Sequence, residues 1–144
     1  MSSDIIYRQA LESDLNFILS SWLKSYCRSR HPNILKEDYY RGHGDLLMRL
    51  LSAVDTTIAC PASNENVIIG FCAHAGQIVH YIYVKNTFRS KYIDDKRIAY
   101  DLLNTCIDTS TGIVMTHQTN AGDKFLSNNK LSASYNPYPA YLSW

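Results

Sequence analysis

A mixed α/β fold, one sheet with helices on both faces, is predicted by three features of the sequence. Leu15, Ile18, Leu19, Trp22, Leu23 and Tyr26 recur at helical spacing. Between Thr56 and Val84, runs rich in β-branched and aromatic residues are separated by turn residues. Beyond Val84 the pattern alternates between helix and strand. A meander of strands in the middle and alternation at the end imply one mixed, mostly antiparallel sheet. With 144 residues and no visible repeat or linker, one domain spanning 1–144 is expected.

The elements follow in order. Ile5 to Arg8 reads as a short strand. Ser13 or Asp14 is placed to cap the helix that carries Leu15 to Tyr26. That helix should stop before Arg28, because Pro32 disfavours helix at His31. A second helix is expected over Lys36 to Ala53, with Tyr39, Tyr40, His43, Leu47, Leu50 and Leu51 on one side. Strands are expected at Thr56–Cys60, Val67–Ala75 and Ile78–Val84. Pro61 to Asn66 makes the first turn, and Gly76-Gln77 closes a hairpin. In the last of these strands, His80, Ile82 and Val84 should face one way and Val79, Tyr81 and Tyr83 the other. Asp94 or Asp95 should cap a helix with Ile98, Ala99, Leu102, Leu103 and Cys106 on its core face. A strand at Ile113–Thr116, a short helix at Ala121–Asn129 and an irregular edge strand within Leu131–Trp144 complete the chain.

Composition removes several classes of function. A formal net charge of +1 lacks the strongly basic face that nucleic-acid binding requires. The longest uncharged apolar run, Val67 to Ala75, is too short to cross a bilayer, and the N-terminus lacks signal-peptide character. No membrane association and a cytoplasmic location are therefore expected. Cys27, Cys60, Cys72 and Cys106 form no C-x-x-C pair, and the five histidines include no i, i+4 pair. No metal site is expected. Cys72 and His74 share a strand face, an arrangement that suggests a thiol nucleophile, although an apolar strand cysteine is ordinarily inert. No G-x-S-x-G, Walker or H-E-x-x-H pattern occurs.

Three stretches carry a resemblance that spans nearly the whole chain: Ile5 to Tyr26, Val67 to Leu103, and Ile113 to Tyr138. In element order and in these residues the sequence resembles the GNAT N-acetyltransferases, and in particular small GNAT-like proteins common in bacteriophage genomes. The resemblance implies a GNAT-like fold and transfer of an acetyl group from acetyl-CoA to an amine on a small molecule or protein. In the family, a loop of the form Arg/Gln-x-x-Gly-x-Gly/Ala before a helix holds the CoA pyrophosphate on backbone N–H groups and the positive helix end. Arg89-Ser90-Lys91-Tyr92-Ile93 occupies that place here, with Tyr83 and Val84 on the preceding strand expected along the pantetheine arm. Tyr92 stands where the first glycine belongs and Asp94 where the second belongs, both unfavourable to a phosphate. Lys85, Arg89, Lys91, Lys96 and Arg97 nevertheless keep the region positive.

For the chemistry, the strand before the loop holds no carboxylate, so His80 is the candidate base. The family's acid tyrosine aligns with Leu126, which leaves Tyr135, or Tyr138, from the tail. Arg28, Arg30 and Arg41 with Tyr26, Tyr39 and Tyr40 fall in the region that faces the acceptor in the family. The alternative reading is a catalytically inactive GNAT-fold binding or structural protein of a bacteriophage, working in the host cytoplasm through a protein partner. The aromatic tail from Tyr138 to Trp144 also allows a homodimer.

Overall fold

A computed structural model describes residues 4–30, 34–85 and 96–142. The elements are β1 (Ile5–Gln9), α1 (Leu15–Arg30), α2 (Lys36–Ala53), β2 (Asp55–Pro61), β3 (Gly70–Ala75), β4 (Ile78–Val84), α3 (Lys96–Cys106), β5 (Ile113–Met115), α4 (Asn120–Asn128), β6 (Ala133–Tyr135) and a final helical turn, α5 (Pro139–Leu142). The strands lie in chain order in one six-stranded sheet. β1 to β4 pair antiparallel, whereas β5 runs parallel to β4, and β6 parallel to β5. This is the mixed, mostly antiparallel sheet that the sequence predicts.

Strand alternation sends neighbouring residues to opposite faces, and two cores result. Ile58, Cys60, Phe71, Ala73 and Tyr81 meet Ile18, Trp22 and Leu23 of α1 and Leu47 and Leu50 of α2. Ala59, Cys72, Val79 and Val84 meet Ile98, Leu102 and Leu103 of α3 on the other face. Burial of a leucine or isoleucine of this kind contributes about 2 kcal/mol.

Four local expectations are corrected. α1 continues to Arg30 rather than stopping before Arg28, because Pro32 restricts only the residue directly before it. Asp14 does not cap α1. Its carboxylate turns back, accepting from Leu11 N–H at 2.7 Å and from Arg8 at 2.8 and 3.1 Å. β3 begins at Gly70 rather than Val67, since Val67 N–H closes the preceding turn onto the Asn64 carbonyl. Val79 packs on the same face as Val84, against the expected alternation. The cause is a bulge: Ala73 pairs with Tyr81 and His74 with Val79, so His80 faces no residue of β3. The tail forms a strand only at Ala133–Tyr135 before Pro139 opens a helical turn, a position that suits proline's fixed φ.

Candidate active site

The bulge at His80 coincides with a parting of the sheet. β4 and β5 pair only at Ile78–Val114 and Val79–Met115. Thr116 N–H still reaches the Val79 carbonyl, at 3.1 Å. Beyond that point β4 runs on to Val84 against β3, and its ladder to β5 has ended. Lys85 N–H donates to the Ile69 carbonyl, which turns the amides of the odd-numbered residues toward β3. Ile82 therefore turns its backbone groups toward the side that β5 has left. Tyr83 turns its carbonyl onto Gly70.

A line of side chains crosses this parting. His80 Nδ1 lies 2.9 Å from Thr116 Oγ1, which lies 3.1 Å from His117 Nδ1. His117 Nε2 lies 2.9 Å from His43 Nε2 on α2. One consistent set of tautomers satisfies the whole line: His80 Nδ1–H donates to Thr116, Thr116 to His117 Nδ1, and His117 Nε2–H to His43 Nε2. His80 Nε2 is then left as an acceptor, and it is buried without a partner among the described residues. Arg8 Nε, Trp22 Nε1 and His74 Nδ1 are also buried without a partner among the described residues.

Aromatic rings fix the line in place. The His43 ring is stacked between Tyr26 and Tyr39, with centroids 5.3 and 5.4 Å away. His117 stands edge-on to Tyr26 at 4.8 Å and to Trp22 at 5.1 Å. Tyr39 OH donates to the Leu23 carbonyl, tying α2 to α1. Burial is therefore deep: His80 is 0% exposed and His117 4%. Loss of water disfavours the charged imidazolium. It lowers His80 and His43 to about 4 each, and His117 to about 3 with help from the two neighbouring rings. At neutral pH all three are uncharged.

Of the residues singled out in the sequence, His80 forms the inner end of this line. Tyr135 stands apart from it: it lies on β6 and lines a cavity of about 60 Å³ that His117, Gln118 and Asp123 also border. Tyr83 and Val84 end β4 beside Lys85, whose ammonium lies 5.1 Å from the centroid of the Phe17 ring. Arg89, Ser90, Lys91, Tyr92 and Ile93, with Asp94 and Asp95, lie outside the described residues. Tyr26 and Tyr39 turn inward to His43, while Arg41 pairs with Asp38 at 3.8 Å on the surface of α2. Thr116, His117 and the placing of His43 were not readable in advance. His43 and His117 are 74 positions apart, and no local spacing signals their meeting.

The fold matches solved structures, two of which are described as a possible and a predicted acetyltransferase. YjaB from Escherichia coli superposes with a TM-score of 0.60 at 16% identity, covering 86% of this chain and 80% of that one. A possible acetyltransferase from Clostridium difficile gives 0.54 at 17% identity, over 92% and 93% of the two chains. A predicted acetyltransferase from Clostridium acetobutylicum, solved with acetyl-CoA, gives 0.50 at 17% over 91% and 92%. At these identities the likeness is one of fold, and the fold is GNAT-like. No protein-family model matches the sequence, and no curated protein matches it. Among the described residues, no helix is long and apolar enough to cross a membrane, and no group of three or more metal-ligating side chains occurs.

Proposed function

We propose that this protein transfers an acetyl group from acetyl-CoA to an amine at the parting of β4 and β5. The observation that carries the proposal is the histidine line, which ends on the unpartnered His80 Nε2 where the β4–β5 ladder stops. A buried acceptor without a partner is costly, and a substrate N–H is a fitting one.

The residues divide the work as follows. Ile82, with its amide groups turned to the open side of β4, pairs with the amide-bearing arm of acetyl-CoA as a further strand would. Tyr83 and Val84 are expected along the same arm, and the expected phosphate site is the Arg89 to Ile93 loop before α3. When bound, acetyl-CoA supplies the activated acyl group. As the amine nitrogen attacks the thioester carbonyl, its proton passes to His80 Nε2. His80 Nδ1–H then gives its proton to Thr116, Thr116 to His117, and His117 to His43, which lies at the outer end of the line. Burial keeps the three imidazoles neutral at neutral pH, so each has a lone pair free to accept a proton, although their basicity lies below the optimum for a general base. Tyr135, which borders the same small cavity as His117, is assigned the return of a proton to the departing thiolate.

The test is release of free thiol from acetyl-CoA in the presence of a panel of small primary amines and lysine peptides. Amine-dependent release that is lost in Thr116→Val supports the reading. Release unaffected by that change would remove the histidine line from the mechanism.

A second reading is favoured by the tail. Tyr135, Tyr138 and Tyr141 are 47%, 69% and 54% exposed, and Tyr92 and Asp94 stand where the phosphate loop wants glycines. In that reading the protein is an inactive member of the fold, phage-encoded, that grips a protein partner through these tyrosines. It predicts partner binding that survives Thr116→Val and is lost when the three tyrosines are replaced by serine.

A further inference from the structure

β5 leads the chain to Thr116 and His117, yet its own ladder holds it loosely. It pairs with β4 only at Ile78–Val114 and Val79–Met115, and its other neighbour, β6, is exposed along its whole length. Val114 N–H donates to the Gln77 carbonyl at 3.3 Å, and Thr116 N–H to the Val79 carbonyl at 3.1 Å. Ile113, Val114 and Met115 are all apolar, so side-chain alternation specifies the register of β5 weakly. A slip of one residue would turn Thr116 to the opposite face of the sheet and part it from His80.

A side chain outside the histidine line supplies what the ladder lacks. Gln77 closes the turn between β3 and β4, directly before Ile78. Its carboxamide reaches across to the segment that leads from α3 into β5. Oε1 accepts from Asp108 N–H at 2.7 Å. Nε2 donates to the Asp108 carbonyl at 2.9 Å and to Thr111 Oγ1 at 2.8 Å, and lies 3.3 Å from the Gly112 carbonyl. One side chain thus spends its acceptor and its N–H donors on a single short segment. That segment is folded tightly on itself. Asp108 Oδ1 accepts from Ser110 N–H at 2.9 Å and from Ser110 Oγ at 2.6 Å, and Thr111 Oγ1 donates to the Asp108 carbonyl at 3.1 Å. Gly112 is followed at once by Ile113, where β5 begins. A turn clasped to the start of β4 therefore fixes where β5 starts beside it.

We propose that Gln77 is a positioning residue for acetyl transfer, whose carboxamide sets the register of β5 on β4 and so holds Thr116 Oγ1 2.9 Å from His80 Nδ1. Its place in catalysis rests on the role given above to the histidine line, whereas its hold on Thr116 does not. A contact of this length is lost with a drift of less than about 1 Å, and a misplacement of that size can cost about 100-fold in rate.

The test compares the wild type with Gln77→Ala and with Thr111→Val, which removes one oxygen of the clasp and leaves Gln77 in place. Nitrogen NMR of histidine-labelled protein reads the hydrogen bonds of the His80 and His117 rings, and thiol release reads turnover. In Gln77→Ala the ring signals should move toward those of Thr116→Val, and kcat should fall about 10- to 100-fold with the KM for acetyl-CoA unchanged. Thr111→Val should move the signals in the same direction by less, and it decides alone if Gln77→Ala does not fold. A clasp that is merely structural would lower the melting temperature and leave the ring signals and kcat where they were, and that result overturns the proposal. A wild type that releases no thiol sinks the acetyl-transfer reading instead. The ring signals still decide the hold on Thr116 in that case: movement supports it, and unchanged signals in a folded variant overturn it.

Discussion

Acidification from about pH 7.5 to about pH 5 should weaken this fold through His80 and His117, and the size of the loss follows from linkage. Both rings are buried and neutral, and burial lowers them to about 4 and about 3. In the unfolded chain they return to about 6.5. In between, the unfolded state binds protons that the native state refuses, so stability falls as pH falls. Each ring's contribution is fully present above about pH 6.5 and is lost by about 2 kcal/mol at about pH 5. The two together approach about 4 kcal/mol, less whatever their shared contact with Thr116 removes from strict additivity, and His43, also lowered to about 4, loses stability in the same direction. For a domain of this size that is a fall in Tm of roughly 10 °C. His74, raised in the fold, works in the opposite sense, since its contribution fades as pH rises. Asp14, held low by Arg8 and Leu11 N–H, keeps its contribution until the pH falls below the usual carboxylate range, outside this window. Calorimetric melts across the window measure the effect, and His117→Gln should remove about 2 kcal/mol of it. A Tm that stays level within about 2 °C would refute the burial of these histidines.

Other outcomes are equally definite. Thr116→Val keeps the shape but removes the hydroxyl that joins His80 to His117. The rate of acetyl transfer should fall about 10- to 100-fold with the KM for acetyl-CoA unchanged, and a kcat within about twofold of wild type would deny the relay. In Gly70→Ala the new methyl would press on the Tyr83 carbonyl and sit 3.1 Å from Val84 Cα. Denaturant unfolding should show a loss of about 2–3 kcal/mol. Asp14→Ala strips Arg8 and Leu11 N–H of their shared acceptor and should cost about 2–3 kcal/mol in the same assay.

Much of the fold was legible because its signals are local. The α1 repeat from Leu15 to Tyr26 and the alternation in β4 each follow from the spacing of apolar residues. The bulge at His80 was not legible, since it depends on the pairing of β4 with β3 and leaves no mark in β4's own sequence. His80 was a candidate by residue type alone. The structure adds why it matters, through Thr116 and His117 on a strand that meets β4 only at its first two residues.

The central claim is that Ile82 on β4 and the basic stretch of sequence before α3 hold acetyl-CoA. Titration calorimetry with acetyl-CoA at moderate salt tests it most directly. The account predicts binding at micromolar strength, about −8 kcal/mol, with one cofactor per chain. Absence of binding up to millimolar cofactor would contradict it and leave a GNAT-like fold that serves another partner.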